Sequence, residues 1–263
     1  MKTVIYSPAQ AYLCYHHFAG AKPTHVYLAG LGVGSTGLYP SVIYGSELAS
    51  YHTLMPDFLG YGYSDRPETF GYTVDEHADT IAFLLDQLHA SGCTLVGHSF
   101  GGAVAITLAT KRPDLVARLV LAEAVLDARD WFGVAAQSEE QYLASGHSEV
   151  LEMYRQMTPD YEVSDRGWLP MVKLMAPHAF YRTACSLAQG VSPTWREQLY
   201  QLKIPRLFLL GEISIEKKTH RVEDKDDLPP QGVEVAIIPH AGHGMVLQNS
   251  AAFVNAIAAF EAR

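Results

Sequence analysis

The sequence predicts an α/β protein with a mainly parallel central sheet and helices on both faces. Three observations predict it. Short apolar runs rich in β-branched and aromatic residues recur between Gly and Pro punctuation. Segments of helical period alternate with them, and successive parallel strands need such crossovers. That alternation breaks over residues 127–195 and then resumes, which sets a helical lid insertion apart from a core of 1–126 and 196–263.

Thr3 to Tyr6 and Tyr12 to Phe18 open the chain as strands, punctuated by Pro8 and Gly20. His25 to Leu28 leads into Gly30-Leu31-Gly32-Val33-Gly34, and Thr53 to Met55 into Asp57-Phe58-Leu59-Gly60-Tyr61-Gly62-Tyr63-Ser64. Thr73 and Glu76 stand at the spacing of a capping box. Ala78, Ile81, Leu85 and Leu88 follow at helical spacing, and Gly92 is expected to end that helix. Thr94-Leu95-Val96 reads as a buried strand, followed by a turn and a helix that stops before Pro113. Leu119-Val120-Leu121 is the next strand. Residues 127–195 hold Trp131, Phe132, Tyr142, Tyr154, Trp168, Tyr181 and Trp195, with Met153, Met157, Met171 and Met175, and read as helical. Strands return at Pro205 to Leu210 and Glu234 to Ile238, ahead of a last helix carrying Phe253, Ile257 and Phe260. The run Glu223-Asp224-Lys225-Asp226-Asp227 reads as a solvated face.

Composition excludes several classes. The 263 residues are 48% apolar and 18% charged, enough to bury a sizeable core and too little charged for a disordered chain. Nineteen Lys and Arg against 28 Asp and Glu leave a net charge of −9, which a polyphosphate would repel, so nucleic acid is not an expected partner. No run of about 18 apolar residues exists to cross a membrane. The first residues lack the apolar stretch of a signal peptide. Cys14, Cys93 and Cys185 are odd in number and far apart, which suits a reduced cytoplasmic compartment. The oligomeric state is not legible.

Gly97-His98-Ser99-Phe100-Gly101 matches G-x-S-x-G, between a buried strand and a helix opening Gly101-Gly102-Ala103. On such a turn a serine is forced out over the sheet edge, and small neighbours let helix and strand approach. With this motif, Asp57-Phe58-Leu59-Gly60-Tyr61-Gly62-Tyr63-Ser64 and Ala241-Gly242-His243-Gly244, the chain resembles the α/β-hydrolase family nearly end to end. The resemblance implies Ser99 as nucleophile and His243 as general base, because an imidazole must remove the hydroxyl proton as the bond forms. It implies an oxyanion hole from the backbone N–H groups of Leu31 and Phe100. Ala29-Gly30 stands where the family usually has His-Gly.

The third member departs from the family pattern. Gly211-Glu212-Ile213-Ser214 occupies the turn that usually carries an aspartate, and Ser214 has no charge to offer. Some relatives, including one branch of the haloalkane dehalogenases, place the acid at the end of the preceding strand. That position is Glu123, which becomes the expected acid, with Glu212 and Glu216 as alternatives and Asp127 judged too far along. A carboxylate ending so apolar a strand is costly to bury without a partner.

Competing readings stay open at this point. Gly32-Val33-Gly34-Ser35-Thr36-Gly37 with Asp57 also matches a dinucleotide fingerprint. His240 and His243 are thin evidence for a metal pair. His98 reads as a helix–strand contact. The leading expectation is a serine hydrolase cleaving a carboxylic ester or related acyl bond of a small, largely apolar molecule, without cofactor or metal. A C–C bond hydrolase, a cofactor-free lyase and a non-catalytic ligand-binding relative are the alternatives. The rings and thioethers of 127–195 are expected to line an apolar pocket.

Overall fold

Every strand anticipated above forms, and together they make one eight-stranded sheet. The computed structural model describes residues 1–131, 133–157 and 170–263. Strands β1 (Lys2–Tyr6), β2 (Ala11–Phe18), β3 (Lys22–Leu28), β4 (Tyr51–Pro56), β5 (Cys93–His98), β6 (Val116–Ala122), β7 (Arg206–Gly211) and β8 (Glu234–Ile238) lie in the order β1-β2-β4-β3-β5-β6-β7-β8. β2 runs antiparallel to β1 and β4, and all other pairs are parallel. Every residue of β5 and β7 is buried, as expected of strands covered on both faces.

Helices α1 (Val74–Gln87), α2 (Phe100–Lys111) and α5 (Trp195–Gln201) pack together in one layer. The C-terminal helix α6 (Ser250–Glu261) packs with the short helices Pro40–Ile43 and Glu47–Ser50 in another. Thr73 and Glu76 do form a capping box at the start of α1. That helix stops at Gln87, earlier than Gly92, because His89 already takes the left-handed conformation at φ 51°. Between β6 and β7 lie α3 (His147–Met157) and α4 (Pro177–Gln189), with shorter turns. Phe132, Trp168 and the side chain of Met157, singled out in the sequence, lie outside the described residues.

Two expectations change. Trp195 is 2% exposed and gives its indole N–H to Thr107 Oγ1 on α2 (3.2 Å), so it fills the layer under the sheet rather than facing a pocket. Asp224 is buried, not solvated. Its Oδ1 takes Arg196 Nη1 at 2.8 Å, and Arg196 also holds Asp127 at 2.7 Å, so a buried carboxylate is paired as burial demands.

Glycine packs α2 against the sheet. A Cβ at Gly101 would stand 2.4 Å from the Leu28 carbonyl oxygen and 2.5 Å from that of Ala29, and one at Gly102 would meet Ala124 Cβ at 2.2 Å. Backbone atoms of a central strand cannot give way without moving the sheet. Gly101→Ala is therefore expected to destabilise the fold by about 3 kcal/mol or more. Urea unfolding checks this, and an unchanged midpoint would show that the helix can lift off the strand freely.

Candidate active site

The parallel strands deliver their carboxyl ends to one edge of the sheet, where open α/β sheets place ligands. Ser99 follows β5 at that edge with φ 54° and ψ −118°, a sparsely populated conformation for a residue with a Cβ. Three backbone bonds hold it there. Its N–H reaches the Ala122 carbonyl (3.0 Å), and its own carbonyl accepts from Gly102 (3.0 Å) and Val125 (3.1 Å). Gly97 makes the turn feasible, since a Cβ there would sit 2.6 Å from the Gly101 oxygen. Ser99 stands at the N-cap of α2 and makes no side-chain cap bond there.

Glu123 follows β6 one strand over, also at positive φ (40°). It is 2% exposed, and its carboxylate is fully occupied. Oε1 accepts the Gly211 N–H at the end of β7 (2.9 Å), and Oε2 accepts His243 Nδ1–H from the loop after β8 (2.8 Å). Burial pushes this carboxyl up, but the hydrogen bond and charge of His243, the charge of His220 and the Gly211 bond outweigh it, and the net is a fall to about 2. Glu123 is thus an anion at any working pH. With Nδ1–H spent on Glu123, His243 keeps Nε2 for another partner.

His98 joins the serine turn to the histidine loop. Its Nε2–H donates to the His243 carbonyl (2.7 Å), and burial pushes its pKa down to about 3, so it is a neutral donor. The sequence reading as a helix–strand contact missed this role, although its place beside Ser99 was the available signal. Among the described residues Ser99 Oγ makes no hydrogen bond, to His243 or otherwise. Such bonds are often loose before substrate arrives.

The Gly30-to-Gly37 loop lies across from the serine, and a Cβ on Gly30 would stand 3.4 Å from Ser99 Cβ. Neither the Leu31 nor the Phe100 N–H is used in a turn, loop or cap bond. Asp57 anchors this loop. Its carboxylate accepts Thr36 N–H (2.9 Å), Thr36 Oγ1–H (2.7 Å) and Tyr63 N–H (2.9 Å). A carboxylate committed to the backbone is not available to a ribose, and the helix after the loop, Ser35–Leu38, is a single turn. The dinucleotide reading loses both of its supports.

The other candidates disperse. Glu212 accepts the His240 N–H (2.8 Å), Glu216 is exposed, and Asp127 is held by Arg196. His240 is exposed beside Glu212 while His243 faces Glu123, so the two rings do not converge on a metal. Ser214 is buried, with Oγ 3.4 Å from where a Cβ on Gly242 would stand.

The segment between β6 and β7 is fastened to this edge. Tyr61 donates to Thr183 Oγ1 (2.9 Å) on α4, and Arg66 to the Leu174 carbonyl (2.7 Å). Met175 and Met171 seat their sulfurs against Gly32 and Gly37 of the loop. His77, enclosed by Phe58, Tyr61, Phe70, Tyr72 and Phe100, puts Nε2 3.4 Å from Thr183 Oγ1. Tyr142 stacks on Phe180, and Tyr181 bonds the Gln137 carbonyl, so those rings hold the segment together. Trp131 stacks on His243 with centroids 6.4 Å apart.

A family profile described as alpha/beta hydrolase fold matches residues 26–157. Over 106 residues the chain is 40% identical to 2-hydroxymuconate semialdehyde hydrolase from Pseudomonas sp. (strain CF600), covering 40% of this chain and only 38% of that protein. It is 29% identical over 246 residues to 2-(acetamidomethylene)succinate hydrolase from Mesorhizobium japonicum (strain LMG 29417 / CECT 9101 / MAFF 303099), covering 85% and 82% of the two chains. Among solved structures, the esterase EaEST from Exiguobacterium antarcticum superimposes with a TM-score of 0.81 over the full length of both chains at 19% identity, a likeness of fold. The profile match, with the strand order and the serine turn, establishes that this chain belongs to the alpha/beta hydrolase fold family of enzymes.

Proposed function

We propose that the protein is a serine hydrolase that cleaves a carboxylic ester or related acyl bond through an acyl-enzyme. The observation that carries this reading is the Glu123–His243 bond of 2.8 Å, on a loop tied by His98 to the strained Ser99 turn. In this mechanism Ser99 Oγ attacks the carbonyl carbon while its proton passes to His243 Nε2. Glu123 stabilises the imidazolium without taking the proton. The oxyanion is held by the N–H groups of Leu31 and Phe100, preorganised on the backbone. His243 then protonates the leaving alkoxide, water hydrolyses the acyl-serine with His243 as base, and Ser99 recovers its proton. No step calls for a cofactor. The described residues of the 127–195 insertion, Trp195 apart, serve as a lid over the site.

A second reading is favoured by a specific similarity. The relative from Pseudomonas sp. is named for a semialdehyde and the one from Mesorhizobium for a succinate, so the same residues acting on a C–C or amide-like bond are the rival chemistry. Labelling with a fluorophosphonate followed by an assay on short nitrophenyl esters separates them. An ester hydrolase labels and turns over with a burst, whereas a C–C hydrolase turns simple esters over slowly. A non-catalytic relative does neither.

Ser99→Ala fits the same turn and loses only the hydroxyl. It is expected to lower kcat by about 10³-fold or more with the fold intact by circular dichroism. Retained activity in that folded variant would end the serine reading.

Glu123→Gln is expected to lower kcat far more than Glu212→Gln, and Ser214→Asp to restore part of the loss from the neighbouring buried position. The same carboxylate predicts a stability effect. Its pKa is depressed in the folded state, so its contribution is complete above about pH 5 and is lost as the pH falls toward 2. Glu123→Gln should therefore flatten the pH dependence of unfolding free energy over that window. Near-normal kcat in Glu123→Gln beside a collapse in Glu212→Gln would move the acid to the later strand.

A further inference from the structure

We infer that Arg129 is a specificity-determining residue, and that the substrate carries a carboxylate set apart from the bond that breaks. This rests on the ester-hydrolase reading for the location of the reacting bond and adds the charge of the molecule's far end.

The first observation is a stack. The Arg129 guanidinium lies 4.4 Å over the Trp131 ring, and Trp131 in turn stacks on His243 at 6.4 Å and 28°. Two ring contacts in series therefore separate a fixed positive charge from the imidazole. A guanidinium seated on an aromatic face keeps its N–H fork in position to take a carboxylate by two parallel bonds. Arg129 is exposed, while Trp131 beneath it is half-buried.

The second observation is how four other arginines are used. Arg66 is committed to the carbonyls of Gly62, Ser64 and Leu174. Arg182 holds Glu139 and the carbonyls of Glu68 and Phe70. Arg196 holds Asp127 and Asp224, and Arg221 holds Asp227. Each of these fastens one part of the fold to another. Arg129 makes no ion pair or side-chain hydrogen bond among the described residues. The adjacent Asp130 turns away to accept the Ala135 N–H (3.1 Å). The Arg129 backbone is pinned by its N–H to the Leu187 carbonyl on α4 (3.1 Å), so the side chain starts from a fixed point.

The third consideration is the field. A chain of net charge −9 repels an anion in general, so recognition of one requires a local cation whose charge is not cancelled. This refines the expectation of a largely apolar substrate: the methionines contact the loop end of the site, and the Trp131 side carries a charge.

The test compares the 4-nitrophenyl half-ester of glutaric acid with 4-nitrophenyl butyrate in the wild type, Arg129→Met and Arg129→Lys. The wild type is expected to favour the half-ester about tenfold in kcat/KM, through KM, in keeping with one charge-assisted contact at a partly exposed site. Arg129→Met should remove that ratio and Arg129→Lys should keep part of it. A wild-type ratio at or below one overturns the inference, as does an Arg129→Met variant that loses both esters by the same factor. If neither ester is hydrolysed, the ester-hydrolase reading fails while the carboxylate site is still measured. Calorimetry with monomethyl glutarate then compares Ser99→Ala with Ser99→Ala/Arg129→Met. Binding lost in the double variant supports the site, and equal or absent binding in both overturns it.

Discussion

The buried carboxylate of Glu123 is the interaction on which this edge of the molecule depends. It leaves the end of β6, takes a backbone N–H from the end of β7, and takes the ring N–H of a loop that follows β8. Three successive strand ends therefore meet on two oxygens. An isolated carboxylate at that depth would cost several kcal/mol and would neutralise itself by binding a proton. Here the imidazole and the amide reverse that tendency, and the group stays ionised. The histidine loop has further supports, in the Gln248 side chain on the Gly242 N–H and Asn249 on the Pro239 carbonyl. Those fix its backbone, whereas Glu123 fixes which ring nitrogen faces inward.

Backbone strain follows the same line. Ser99 after β5, Glu123 after β6 and His240 after β8 all have positive φ. Each such residue costs about 1–3 kcal/mol and persists only where its surroundings over-determine it. At Ser99 the surroundings are three backbone bonds and the absence of side chains at Gly97, Gly101 and Gly102. At Glu123 they are the Leu209 carbonyl, which accepts its N–H, and the two partners of its carboxylate. At Glu123 the reversal of handedness brings the carboxylate to His243 and the end of β7, whereas His240 stays exposed beside Glu212.

How much of this was legible in the sequence follows from the range of the forces involved. The strands were readable because burial on both faces demands unbroken apolar runs, and the Thr73–Glu76 box because it is a contact between residues three apart. Gly92 misled because the chain left the helix at His89, whose strain a local rule does not anticipate. Asp224 and Trp195 misled because their partners, Arg196 and Thr107, lie 28 and 88 positions away. The placement of the acid at Glu123 was an inference from resemblance, and only tertiary structure shows it within reach of His243. The link from His98 to the histidine loop spans 145 positions and has no signature beyond adjacency to the serine.

The segment between β6 and β7 shows why counting rings and thioethers describes a pocket poorly. Among the described residues, four of those side chains are occupied in holding the segment in place: Tyr142 on Phe180, Tyr181 on Gln137, Met171 and Met175 on the glycine loop. Its polar tethers include arginine and tyrosine donors meeting backbone carbonyls, which satisfies those acceptors without adding buried charge pairs. Such an arrangement uses positive charge structurally and consumes it. A guanidinium that stays outside this scheme, seated on a ring that stacks on the candidate base, makes no ion pair or side-chain hydrogen bond among the described residues that would explain its position. The apolar composition of the segment is therefore mainly its own adhesive, and the selectivity of the site is set by the polar groups left over once the packing is complete.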